Sequence, residues 1–166
     1  MTMREKKHRL PREYYRGNAS VAFTLCLKRD TVAGFTLCDP EIVNIFTGIL
    51  TSAVVKTACF VPVYCFMPDH QHMIISGTNN DADLWNAVVS YKQRTGFWLA
   101  GHKPSISWQK DFYDHIIRKE EDLAVQVRYI LDNPVRKGIV ASGHEYPYKG
   151  AIGCDLNDVL NGIMMR

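Results

Sequence analysis

The chain has 166 residues, enough for one globular domain that removes roughly two-thirds of its unfolded surface from water. Hydrophobic residues make up 46% and charged residues 22%, which excludes intrinsic disorder and the fibrous classes. The formal net charge of +3 permits a nucleic-acid partner without demanding one.

The charge is unevenly spread. Arg4, Lys6, Lys7, Arg9, Arg12 and Arg16 all fall in the first sixteen residues, against Glu5 and Glu13 only. Residues 1–18 therefore read as a basic N-terminal arm. With Tyr14 and Tyr15 interleaved, it suits backbone contacts and base stacking on nucleic acid, or equally a solvated tail. Residues 20–28, SVAFTLCLK, put Val21, Phe23, Leu25 and Leu27 on one face of a first strand. Asp39 then offers an N-cap and Pro40 a first helical position. Apolar residues recur at helical spacing from Ile42 to Leu50, predicting a helix to about Thr57.

β-branched and aromatic residues return over 59–67, Pro68-Asp69 supplies a turn, and 70–76 is extended again, which predicts a hairpin. Asp81 or Asp83 caps a second helix whose inner face carries Leu84, Val88, Tyr91, Thr95 and Trp98, with Gly101 just beyond its end. Lys92 and Arg94 flank that face on the outside and are candidate nucleic-acid contacts. A loop over 106–109 leads to a fourth strand over 112–118. Glu120, Glu121 and Asp122 then place acids in the first turn of a third helix that ends near Asn133, before Pro134. The order β-α-β-β-α-β followed by a helix predicts an α+β, ferredoxin-like antiparallel sheet, with an extra helix available to its second face. Residues 19–140 form the main domain. Residues 141–166 form a C-terminal tail, irregular to 153 and then a short amphipathic helix with Leu156, Val159, Leu160 and Ile163.

Cys26, Cys38, Cys59, Cys65 and Cys154 contain no CxxC pair and leave one thiol over in any full pairing, so they read as reduced packing residues. No apolar stretch follows the charged N-terminus. The most apolar window, 59–67, is short and interrupted by Pro62, so the expected location is cytoplasmic, with no membrane partner.

The chemistry centres on two elements. His70 and His72 are separated by one residue in a strand, so both imidazoles point to one face and can chelate one metal. Tyr129 and Asn133 are four apart in the third helix, with Gln126 on the same side and Leu123, Val127, Ile130 and Leu131 on the apolar one. Each feature has a plainer reading: histidines without metal, a rim tyrosine, a helix terminator before proline. Trp108 and His115 read as structural.

The strings RLPREYYRG at 9–17, FMPDHQHMII at 66–75, WQKDFYDHIIR at 108–118 and YILDNPVRKGIV at 129–140 resemble, in this order, the REP-associated tyrosine transposases. That family is a branch of the HUH single-tyrosine transposases of insertion sequences. The resemblance covers roughly residues 9–150. It implies that His70 and His72 hold a divalent metal, magnesium or manganese, with Asn133 completing the shell, and that Tyr129 is the nucleophile. It further implies single-stranded DNA as substrate, folded as a palindromic hairpin repeat, cleaved to a 5′-phosphotyrosine and a free 3′-hydroxyl. Relatives act as monomers or as dimers that exchange the catalytic helix, and the sequence is compatible with both. In one departure, Gln71 stands where the family has a hydrophobic residue between the histidines. Two rival functions are a relaxase-like or replication-initiating nickase with the same histidine pair, and a non-catalytic nucleic-acid-binding module on a ferredoxin-like sheet. The second lacks the RNP-like string that RNA-recognition sheets carry.

Overall fold

A computed structural model describes residues 9–31, 33–119 and 121–162. Five strands make one sheet in the order β4-β1-β3-β2-β5, every adjacent pair antiparallel. They are β1 (Ser20–Cys26), β2 (Cys59–Phe66), β3 (His70–Gly77), β4 (Tyr113–Ile116) and β5 (Lys149–Ile152). The first four strands have the ferredoxin-like order expected from the sequence. β5 is an addition at the β2 edge. The tail was expected to be irregular there, because Lys149-Gly150-Ala151-Ile152 has no apolar alternation. Pairing with β2 makes it a strand, and Gly150 leaves room for the Tyr64 ring, whose hydroxyl oxygen a Cβ would meet at 2.6 Å and displace.

Helices α1 (Pro40–Lys56) and α2 (Leu84–His102) cover one face of the sheet; α3 (Leu123–Leu131) and α5 (Leu156–Leu160) cover the other. Strand alternation supplies both cores. Phe23, Leu25, Met73 and Ile75 pack under α1 and α2, while Ile74, Val63 and Cys65 pack under α3 with Val127 and Ile130. Asp39 caps α1 through the Glu41 amide (2.9 Å), and Asp83 rather than Asp81 caps α2 through the Asn86 amide (3.0 Å). α2 runs through Gly101 to His102, so that glycine ends nothing.

Helix three differs from expectation at both ends. Its N-cap is Asp122, accepting from the Ala124 amide at 2.8 Å, so the acids precede the helix instead of occupying its first turn. It stops at Leu131, and Pro134 opens a separate turn of helix, α4 (Asn133–Arg136), where its missing N–H costs nothing. Asn133 thus begins α4 and is not on the same helix as Tyr129. Ile163, expected in the final helix, lies outside the described residues, as do Arg4, Lys6, Lys7 and Glu120.

From residue 9 onward the N-terminal segment is part of the body. Arg12–Tyr15 form a 3-10 turn, the Tyr15 ring is buried, and its hydroxyl donates to the buried Asp114 carboxylate. Arg9 pairs with the same carboxylate at 3.4 Å. The segment then crosses close over the end of β3. A Cβ at Gly77 would sit 1.8 Å from the Gly17 carbonyl oxygen, so only glycine admits that crossing. Among the described residues no helix is long and apolar enough to cross a membrane.

Candidate active site

His70 and His72 lie on the α3 face of β3, in line with Ile74 of the α3-side core; Gln71 and Met73 point the other way. Their Nε2 atoms are 3.1 Å apart, and each Nδ1 is already held. Asp69 Oδ1 takes the His70 Nδ1–H at 2.8 Å, which fixes that tautomer and leaves the His70 Nε2 lone pair pointing at His72. Thr24, the register partner of His72 on β1, places its hydroxyl 2.9 Å from His72 Nδ1. Without metal the set closes on itself: the Thr24 hydroxyl donates to His72 Nδ1, and His72 Nε2–H donates to His70 Nε2. Rotating the Thr24 hydroxyl to accept reverses the His72 tautomer and turns both Nε2 lone pairs toward one point.

That point suits a divalent ion. Two nitrogens about 2.1 Å from one ion, at angles from octahedral to tetrahedral, are about 3.0 to 3.4 Å apart, which brackets the observed separation. The outer-shell partners Asp69 and Thr24 are those a metal-binding imidazole needs. His72 must be neutral to ligate, and burial holds it there, pushing its pKa down from 6.5 to about 3, with the charges of His70, Arg136 and Lys137 adding to the effect. No third histidine, cysteine, aspartate or glutamate joins the pair among the described residues, so a further protein ligand would be a neutral oxygen such as a side-chain amide, a hydroxyl or a main-chain carbonyl.

Asn133 is the amide that the family resemblance implies as a further ligand. It is buried, its Nδ2 has no hydrogen-bond partner, and its Oδ1 has only a long contact of 3.4 Å from Arg136 Nη2. An under-satisfied buried carboxamide costs stability and is expected where a ligand completes it. Tyr129, on α3, is 63% exposed, so its hydroxyl is reachable by a macromolecular substrate. Arg136 joins the two: its guanidinium lies 3.9 Å from the Tyr129 ring centroid, and its Nη1 donates to the Tyr129 carbonyl at 2.8 Å. Arg136 and Lys137 also act on His72 through their charge, helping to lower its pKa.

The sequence reading missed Arg136. The available signal was its position three residues after Asn133, one helical turn on. Of the basic residues it did select, the five among the described residues lie elsewhere. Arg16 pairs with Asp83 at 3.4 Å, Arg12 stacks on Trp85 at 4.2 Å, and Arg94 donates to the Ser52 hydroxyl at 3.1 Å. Arg9 is tied to Asp114, and Lys92 is half-buried with its ammonium donating to the Lys110 carbonyl at 2.8 Å, so it is not on the outer flank. These residues belong to the α1/α2 side of the sheet and are not brought to the histidines. His115 bonds Glu121 at 2.9 Å and Glu121 accepts from Gln126 at 3.2 Å, a polar link between β4 and α3 that holds the Glu121 carboxyl below its ordinary value. Trp108 is buried and donates to Thr95 Oγ1 at 2.9 Å, a structural role as expected. Gln71 is fully buried against α2, where its Oε1 accepts from the Tyr91 hydroxyl, leaving its Nε2 without a partner.

Comparison with known proteins agrees with the resemblance read from the four strings. A Haemophilus influenzae protein described as a REP-associated tyrosine transposase is 30% identical across 51% of this chain and 54% of its own length. The Escherichia coli REP-associated tyrosine transposase is 30% identical across 53% of this chain and 52% of its own. The chain thus spans about half the length of the curated relatives it matches. A solved structure of a REP-associated tyrosine transposase bound to a REP hairpin shares the fold with a TM-score of 0.69, covering 89% of this chain and 82% of that one at 24% identity. No family model matches the chain.

Proposed function

We propose that this chain is a REP-associated tyrosine transposase, a metal-dependent enzyme that cuts and rejoins single-stranded DNA through a covalent bond to Tyr129. The observations that carry the reading are two convergent imidazoles on β3 with preset Nδ1 partners and, on the helix side, an exposed Tyr129 whose ring Arg136 holds, Arg136 also reaching the buried, under-satisfied Asn133. The DNA class follows from the relatives' name and from the hairpin bound to the solved neighbour.

In the reaction the Tyr129 phenolic oxygen attacks phosphorus in line. The new bond is O–P to tyrosine, and the bond that breaks is P–O3′. The phenolic proton goes to solvent, and the departing 3′ oxygen takes one up as a free hydroxyl. The 5′-phosphotyrosine retains the energy of the phosphodiester, so attack by a 3′-hydroxyl reverses the step and joins strands without ATP. A bound magnesium or manganese would supply Lewis-acid polarisation of a non-bridging phosphate oxygen. His70, His72 and Asn133 would hold it, Asn133 by turning its amide oxygen from Arg136. Arg136 and Lys137 bring positive charge to the attacked phosphate, and Arg136 also limits the sweep of the Tyr129 ring.

The test is incubation of the protein with labelled single-stranded DNA containing a hairpin repeat, in manganese, followed by denaturing electrophoresis. Wild type yields a protein–DNA adduct, Tyr129→Phe yields none, and His72→Ala loses cleavage while retaining most DNA binding. An adduct that persists in Tyr129→Phe removes the nucleophile, and undiminished cleavage in His72→Ala removes the metal site.

A further inference from the structure

On the face of the sheet opposite the histidines, a cavity of about 470 Å³ opens between α2 and the 107–112 loop. Its lining combines Trp85, Trp108 and Phe112 with Lys92, Lys110 and Asp111, and with Arg9, which is already paired with Asp114 and stacked on the Phe112 and Trp85 rings. A flat apolar interior with an excess of cations at the mouth suits a ligand that is a planar ring joined to an anion, and the volume is that of a small-ligand site.

Gly96 shows that the space is not a packing defect. It lies inside α2, where glycine costs about 1 kcal/mol relative to alanine. Its φ is ordinary, and an added Cβ would meet only Trp108 Cδ1, at 3.6 Å, an acceptable contact. Neither backbone nor packing demands glycine there, yet any larger side chain would enter the cavity.

The loop also ties the cavity to the active site. The Gln109 amide donates to the Cys26 carbonyl at 2.8 Å and the Lys28 amide to the Ser107 carbonyl at 2.9 Å, and Cys26 is the register partner of His70. The cavity mouth and the histidine pair therefore share one end of the sheet, on its two faces, so a single strand rounding the β4 edge could touch both.

We infer that this cavity takes one unstacked base, with its phosphate, from the single-stranded part of the DNA. The inference rests on the reading of the chain as acting on single-stranded DNA. The base enters against Gly96 between Trp85 and Trp108, and its phosphate meets Lys92 and Lys110. Burial already depresses the Lys92 ammonium pKa, so a phosphate replaces water that this cation lacks.

A titration of the full chain with a single-stranded deoxythymidine oligonucleotide, read by tryptophan quenching and by anisotropy of a labelled strand, tests this. Gly96→Met fills the cavity from a helical position that tolerates it, and should keep the melting temperature while weakening binding about tenfold, the value of one stacked base. Lys92→Gln with Lys110→Gln weakens binding and flattens its salt dependence. Binding by a folded Gly96→Met within about twofold of wild type overturns the inference, as does wild type failing to bind the oligonucleotide. The two readings fail separately: a protein that forms the adduct but ignores Gly96→Met loses only the cavity, and one that binds through the cavity without forming an adduct loses only the chemistry.

Discussion

At residue scale the most informative position is Gln71, between the two histidines. Strand alternation sends it to the opposite face from them, where it is buried and bonded to Tyr91. The polar residue therefore leaves the histidine face unaltered and puts a carboxamide into the α2-side core, with one nitrogen unsatisfied. The consequences are asymmetric. Gln71→Leu alone removes the orphan nitrogen but strands the buried Tyr91 hydroxyl, at a cost of roughly 1 to 3 kcal/mol. Adding Tyr91→Phe removes both polar groups, and urea denaturation of the double variant should place it at or above wild-type stability. If the double variant is as unstable as the two single changes summed, the pair is not coupled as described.

At element scale the position of Tyr129 depends on where α3 starts and stops. Its start is set by Asp122, its stop by the break before Pro134, and its attitude by Val127 and Ile130 buried against Val63 and Ile74. Arg128 reaches across to the Leu160 carbonyl at 2.7 Å and so couples α3 to the tail helix α5. Asp122→Ala removes the only side-chain acceptor on the first amides of α3 among the described residues, and should lower stability by about 1 kcal/mol, or about 3 °C in thermal melting. A melting temperature unchanged in Asp122→Ala would show that tertiary packing alone defines that end. The elements themselves were legible, since four strands and three helices carry their period in the residues. β5 and the α3–α4 break were not: the first is a strand only because β2 has a free edge, and the second depends on how Pro134 is used.

At the scale of the whole molecule, the histidine pair links stability to pH. His72 has a pKa near 3 when folded and 6.5 as its ordinary value, so between those limits the unfolded chain binds a proton that the folded chain refuses. Stability of the metal-free protein is therefore full above about pH 6.5 and falls as pH drops, by up to ~1.4 kcal/mol per pH unit at this one site. Urea midpoints measured from neutral to acidic pH should show this slope, and His72→Gln should reduce it by one proton. An equal slope in the variant would mean that other groups carry the acid sensitivity.

The residues alone settled the alternation that puts His70 and His72 on one side, the helical placement of Tyr129 and the ferredoxin-like order, because each follows from local periodicity. The four strings settled the family likeness. Folding decided everything that depends on which distant segments meet. It brings Thr24 to His72 across a strand pair and Arg136 to the Tyr129 ring, and it takes Arg9 and Lys92 to the opposite face of the sheet. A basic residue reads the same in sequence whether it meets a phosphate, a carboxylate or a ring, and only the path of the chain through space distinguishes them.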